Sequence, residues 1–420
     1  MFSPPAVCRD EQIRYFTSGA VFLMGALALA APSGYSLGAA LLLIASLLCL
    51  PYKRYLLSSE DKLVIITLVG YGALVGVLSM TEIGSKGFDR PSRFLLAVPV
   101  LLLILRFPPR LAWLWTGLAC GAMGAGGLAL WERLFYGVER ASGYLHPIQF
   151  GNLSMLMGVL CLAGLGWAVV QRRRYAWLIL LLVGALFGML GSLMSGSRGG
   201  WIGLPFMGLV LYRGYGRGLA IRLKLVATGL VLVFVATIYF LPQTGVQSRV
   251  QAAVNDVSQY VAGEQRDTSL GHRFEMWRGA AHLISERPLF GWGIGGYKNG
   301  QSELAEQGVI TYAAAKYSHA HNDFIDAWAK RGVLGLVMLL LLYILPIKLF
   351  AAGLQSPDLR LRAVAVAGTL LPVAYIDFGL SQTFLAHNSG TTIYAFWLAV
   401  LWGSYSAYSR DDLQASKDNK

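Results

Sequence analysis

Charge is scarce in this chain. Charged residues make up 14% of its 420 positions, against roughly a quarter in soluble domains. Hydrophobic residues make up 55%. An ordinary soluble domain is thereby excluded. Cysteine is scarce too: Cys8, Cys49, Cys120 and Cys161 are the only four, and none lies in the long polar stretch 242–332. A disulfide framework or a cysteine zinc site in that stretch is excluded. Acids are fewer than bases, 22 against 35, and the net charge is +13. The hexapeptide Ala-Pro-Ser-Gly-Tyr-Ser at 31–36, between the first two apolar runs, has no acid. No Asp-x-Asp lies outside the apolar runs to hold a metal on a nucleotide-sugar. A phosphate-binding Gly-x-x-x-x-Gly-Lys loop is missing. Asp377 is the one acid deep in a late apolar run, too little for a proton relay, and it reads as the partner of an outward arginine or a helix contact.

What the chain has is long apolar runs, many near the ~20 residues that cross the hydrocarbon of a bilayer. We read an all-α polytopic membrane protein with about twelve transmembrane helices. Nine lie at 14–31, 35–50, 63–80, 93–106, 111–131, 148–170, 175–194, 200–212 and 224–241. Three more follow at 333–351, 361–380 and 390–408. Three regions result: helices over 1–241, a polar loop over 242–332, and the last helices with a tail over 333–420. The first run lacks a small-residue cleavage site and reads as a retained span. Basic clusters at 52–55, 106–110, 172–174, 213–224 and 360–362 fall on one side, which the positive-inside rule makes cytoplasmic. The loop 242–332 and all six histidines then face outward. The basic balance fits basic cytoplasmic loops and anionic lipid or phosphate ligands, not nucleic acid.

The outer loop has helical patterning. Residues 247–261 are amphipathic, and in 273–284 Phe274, Trp277, Ala281 and Ile284 share a predicted face. Residues 286–297 are rich in breakers. A small helical subdomain on the membrane surface is expected. Residues 291–296, Gly-Trp-Gly-Ile-Gly-Gly, match Gly-x-Gly-x-x-Gly, but no strand precedes them, so a tight turn with close backbone approach is the reading.

Outward arginines are the stronger signal. Arg198 sits in Ser-Gly-Ser-Arg-Gly-Gly, a short break between apolar runs where an unpaired cation is costly. Arg273 and Arg278 are five apart, so at most one points into a common site. Arg90 and Arg93 open the fourth run, and Arg140 precedes the sixth. Singly, each can be a snorkelling interface residue. Together they suit a diphosphate, because the guanidinium fork binds phosphate bidentately.

Two of the six histidines stand together in Ser-His-Ala-His-Asn-Asp-Phe, 318–324. A metal pair, a catalytic base and plain loop histidines all fit that pattern. Only Asp323 and Asp326 are near enough in sequence to complete a metal site. Residues 322–332 read as a short helix with Gly332 as its stop, which puts His321 at a helix N-terminus, where the dipole favours a neutral ring. In a helix, residues two apart point to different sides, so His319 and His321 have different jobs.

In order along the chain, Ser-Gly-Ser-Arg-Gly-Gly (195–200), Gly-His-Arg-Phe-Glu-Met-Trp (271–277), Pro-Leu-Phe-Gly-Trp-Gly-Ile-Gly-Gly-Tyr (288–297) and His-Asn-Asp-Phe (321–324) resemble the bacterial O-antigen ligase and polymerase superfamily. The resemblance implies a GT-C-type glycosyltransferase of the Gram-negative inner membrane, with its active site in a helical periplasmic loop. It implies an undecaprenyl-diphosphate-linked O-antigen donor, a lipid A-core acceptor, membrane-lipid contacts, inversion, and neither metal nor cofactor. By motif position, Arg198 and Arg273 would hold the diphosphate and His321 would be the base. His319, Asn322, Arg278, Arg140, Arg90 and Arg93 would be support. O-antigen polymerases and other lipid-linked oligosaccharide transferases share these motifs. A lipid-linked glycan transporter is the alternative of another class, but it calls for charges through the bilayer depth and repeat-related halves. The oligomeric state stays open.

Overall fold

The computed structural model describes residues 6–49, 57–197, 199–241 and 245–418, and among them there is no strand. The first ten helices are α1 (Ala6–Ala26), α2 (Gly34–Cys49), α3 (Ser59–Ile83), α4 (Asp89–Arg106), α5 (Leu111–Phe135), α6 (Pro147–Ala163), α7 (Leu165–Val169), α8 (Arg174–Ser195), α9 (Leu204–Leu211) and α10 (Ile221–Phe240). The polar loop contributes α11 (Val246–Ala262), α12 (Ser269–Glu286), α13 (Gly293–Glu306) and α14 (Tyr312–Ala315). α15 (Asp323–Ala351), α16 (Leu359–Ser381) and α17 (Asn388–Asp418) complete the chain.

Among the described residues six stretches are long and apolar enough to cross a membrane, the makeup of a polytopic membrane protein. They are Ser59–Arg106, Leu111–Phe135, Pro147–Val169, Arg174–Ser195, Asp323–Ala351 and Leu359–Ser381. Large apolar side chains stay exposed on outer faces, for example Leu48, Ile179, Leu186, Leu232 and Phe240. Such a surface suits lipid and not water. Several boundaries move from the sequence expectation. The first helix begins at Ala6 and stops at Ala26, and the stretch expected as a span over 200–212 is a turn, an eight-residue α9 and a π turn. The basic stretch 52–55 lies outside the described residues.

Small residues set the packing. A Cβ on Gly188 would come within 2.7 Å of the Gly158 backbone, so α8 and α6 touch backbone to backbone. Close approach of this kind compensates for the absence of a hydrophobic driving force between helices in lipid. The two ends of the bundle differ in chemistry. At one end Arg14 donates to the Pro108 carbonyl (3.0 Å), Arg110 pairs with Glu11 (3.1 Å), and Arg362 donates to the Ser356 (2.7 Å) and Gly214 (3.3 Å) carbonyls. There, too, buried Asp61 accepts from Trp402 Nε1 (3.0 Å) and pairs with Arg410.

The other end carries α11–α14, of which α12, α13 and α14 close over a second apolar core that includes Ala280, Leu283, Tyr297, Leu304, Ile310 and Ala329. On α12 the buried face runs through Met276, Ala280 and Leu283, while Ala281 is exposed. The expected face through Ala281 is therefore rotated by about one residue. Trp277 explains the shift: half-buried, it turns its Nε1 to the Ala320 carbonyl (2.8 Å). Buried Glu275, which the apolar pattern did not mark, accepts from Tyr260 Oη (2.8 Å) and Thr311 N (3.0 Å), tying α11 and α14 to α12.

The glycine-rich run 291–296 is a joint. Gly291 (φ 69°) lies against the backbone of Lys330 and Arg331. Trp292 N donates to Ala329 O (2.9 Å), and Val333 N donates to Pro288 O (2.9 Å). Glu82, at the end of α3, accepts from the backbone N–H groups of Ile294 and Gly295 at the head of α13. Gly332 does not stop the helix as expected. It kinks it at φ 64°, ψ −167°, and α15 continues into the bundle.

Candidate active site

The site grows from the head of α15. Asn322 caps that helix: its Oδ1 accepts from Phe324 N (3.0 Å) and Ile325 N (3.1 Å). Its Nδ2 donates to the Leu380 carbonyl at the end of α16 (3.3 Å). One amide thus fixes the helix and docks the preceding segment on its neighbour. His321 precedes the cap at φ 48°, in the left-handed region that β-carbon-bearing residues avoid. Such a conformation persists where surroundings over-determine it, and it aims the imidazole.

That ring is held on several sides. His321 Nδ1 is hydrogen-bonded to Gln382 Oε1. With the amide oxygen accepting, Nδ1 carries the proton and Nε2 keeps its lone pair. The His319 ring stands edge-on at 4.2 Å between centroids, and Tyr317 at 5.3 Å. Burial foremost, then His319, lowers the His321 pKa to about 4; Arg273 adds to the fall, and the Gln382 bond and Asp326 oppose it. The ring is neutral near pH 7, as expected, although burial leads where the helix dipole was the expected cause. His319 is shifted down by burial too.

Arg273 lies half-buried on α12, close enough for its charge to act on His321. Among the described residues it has no ion-pair partner. A desolvated guanidinium left unpaired is costly, and an incoming anion would relieve that cost. Arg278 is turned away: it is exposed and lies 4.0 Å from Glu275. Arg93 is engaged with Asp89 of its own helix (3.2 Å). Neither joins the cluster, which corrects their expected supporting place. Both follow from helical geometry, since each arginine meets a carboxylate one turn away.

Arg198 lies outside the described residues, but its turn is placed. Ser197 Oγ donates to Asn152 Oδ1 (3.1 Å), and Arg140 Nε donates to Ser195 O (3.0 Å). Arg249 Nη1 donates to Gly196 O (2.8 Å). Gly199 packs so tightly on Ser381 that a Cβ there would fall 2.0 Å from its Oγ. Ser381 precedes Gln382, so the 195–200 turn and His321 meet across the end of α16. Asp377, one turn earlier, packs against Gly203. Arg90 stands on another side, beside His387. Burial first, and then Arg90, lowers the His387 pKa to about 4.

The structure therefore gathers His321, His319, Asn322 and Arg273, places Arg140 at the adjoining turn, and sets Arg90 beyond His387. Gln382, Tyr317 and Arg249 were not marked by sequence reasoning. Only an amide at the edge of a late span, and an arginine on an amphipathic helix, hinted at two of them. Among the described residues no three His, Cys, Asp or Glu side chains come together as a metal site.

Residues 186–340, which carry the turn, the joint and the histidines, match the family described as O-antigen ligase. An uncharacterized protein of Haemophilus influenzae is 29% identical over 368 residues, 86% of this chain and 92% of that protein. Through the segment that builds its site, the chain is similar to the O-antigen ligase family.

Proposed function

We propose that the protein is an inverting, metal-independent O-antigen ligase with a GT-C-type architecture of about twelve spans. It moves O-antigen polysaccharide from undecaprenyl diphosphate to a sugar hydroxyl of lipid A-core. It does so on the periplasmic face of the inner membrane. The observation that carries this reading is His321, whose Nδ1 is held by Gln382 while Nε2 has no partner among the described residues, beside Arg273, which has no ion-pair partner among them.

The chemistry needs little else. The acceptor oxygen attacks the anomeric carbon, its proton passes to His321 Nε2, and the bond to the lipid diphosphate breaks on the opposite face. Arg273, with Arg198 from the adjoining turn, takes up the negative charge of the departing diphosphate. A neutral, positioned histidine contributes roughly 10²–10⁴-fold. No step is routed through a metal, so chelator should leave the purified enzyme active.

Deleting the gene in its own bacterium tests the reading. Loss of a ligase leaves bare core on a lipopolysaccharide gel while polymeric glycan accumulates on undecaprenyl diphosphate. Core bearing a single repeat unit would instead mark a polymerase. Long O-antigen still capping the core would exclude ligase activity.

A further inference from the structure

A second basic feature lies on the far side of the histidines. Lys86, Arg90 and Arg331 line a cavity of about 380 Å³ that reaches His319 and His387. None of these three cations has a carboxylate within ion-pair distance among the described residues. Both acids in the cavity wall are already engaged. Asp326 is bound by Lys330 (2.7 Å) and Ala320 N (3.0 Å), and Asp323 accepts from Phe384 N (3.1 Å). Arg331 feels the Asp323 charge without pairing to it. Val75, Phe94, Leu339 and Leu385, with Tyr71, add apolar lining to the same cavity. Unpaired cations and apolar side chains in one cavity, lined from membrane helices α3, α4 and α15, suit a phosphate carried on a lipid better than a free anion.

The cavity is distinct from the Arg273 side. Arg273 approaches His321 from α12, whereas the cavity is bounded by His319 and His387 and opens between other helices. We propose that the Lys86–Arg90–Arg331 cavity binds a phosphate of the acceptor glycolipid, so that the acceptor reaches His321 past His319 while the donor diphosphate stays on the Arg273 side. The assignment to the acceptor rests on the transferase reading above; the phosphate site itself does not.

Native mass spectrometry on the purified full chain tests this with two lipids, undecaprenyl diphosphate and a bisphosphorylated diglucosamine glycolipid. Both should bind at once. Arg90→Ala with Arg331→Ala should weaken the glycolipid by about tenfold or more and leave undecaprenyl diphosphate within about twofold, since a hydrogen bond to a charged group exceeds a factor of ten. Lys86→Gln, at an exposed turn, should weaken it in the same direction and guards against misfolding of the double variant. The dephosphorylated glycolipid should bind the wild type no better than it binds the variant. Mutual exclusion of the two lipids, or loss of undecaprenyl diphosphate in the double variant, would overturn the proposal. So would inorganic phosphate binding as tightly as the glycolipid. With a glycan on the undecaprenyl diphosphate and the core sugars on the glycolipid, a ternary complex that transfers no glycan would defeat the transferase reading and leave this site standing.

Discussion

His321 works as a base only when its ring is neutral, and burial keeps it so down to about pH 4. Sign follows directly: below that value the ring is protonated and transfer stops, and above it the rate is level with respect to this group. The acidic limb of the transfer rate should therefore fall near pH 4, well below the 6.5 of an unperturbed histidine. Arg273→Gln removes a charge that disfavours imidazolium and should move that limb upward. A pH–rate profile of both proteins checks this, and an unmoved limb would show that Arg273 does not act on the ring. Gln382→Ala should lower kcat by about 10–100-fold by freeing Nδ1, with donor affinity held, as measured by single-turnover transfer. His321 and Asn322 were legible because the cap is local: an asparagine before an apolar helix with its acids in the first turn. Gln382 and Arg249 were not, since only the packing of α16 and α11 brings Gln382 to His321 and Arg249 to Gly196.

The joint between the loop helices and the bundle is built from backbone, and its glycines carry it. A Cβ at Gly332 would meet the Leu289 carbonyl at 2.0 Å, and its φ of 64° is unfavourable for any side chain. Gly332→Ala should destabilise the protein by about 2–4 kcal/mol, read as a lowered Tm and faster proteolysis of residues 246–315. Gly295→Ala is the control. That position has open space and no positive φ, so its Tm should hold or rise. The sequence reading put a tight turn with close backbone approach at 291–296; Gly291 makes that approach, but residues 293–296 are the first turn of α13. It read Gly332 as a stop because the helix beyond a kink cannot be seen in a local pattern. The buried face of α12 was off by one residue for a similar reason: Trp277 answers to Ala320, not to its own helix.

Across the whole molecule the two ends separate two tasks. Asp61, fully buried, holds Arg410 and Trp402 and so ties α3 to α17 far from the histidines. Asp61→Ala should cost about 1–3 kcal/mol, since it leaves the buried Trp402 Nε1 without its acceptor and removes the carboxylate that Arg410 meets, and thermal unfolding would register it. Activity of the surviving folded fraction should be unchanged. If the basic end is cytoplasmic, a cysteine at Arg217→Cys should react only from inside and one at Asp267→Cys only from outside, in intact cells. Apolar runs made the helical membrane layout legible, and charge asymmetry gave a sidedness to test. Hydropathy is silent on convergence. That the turn at 195–200 lies against Ser381, beside the Gln382 that holds His321, follows from the packing of α6, α8 and α16 alone. The most direct measurement is transfer by purified protein in lipid, from an undecaprenyl-diphosphate-linked glycan to lipid A-core. His321→Ala should lose about 10²-fold or more of the rate while binding the donor as the wild type does. A variant that transfers within a few-fold of the wild type would contradict His321 as the base.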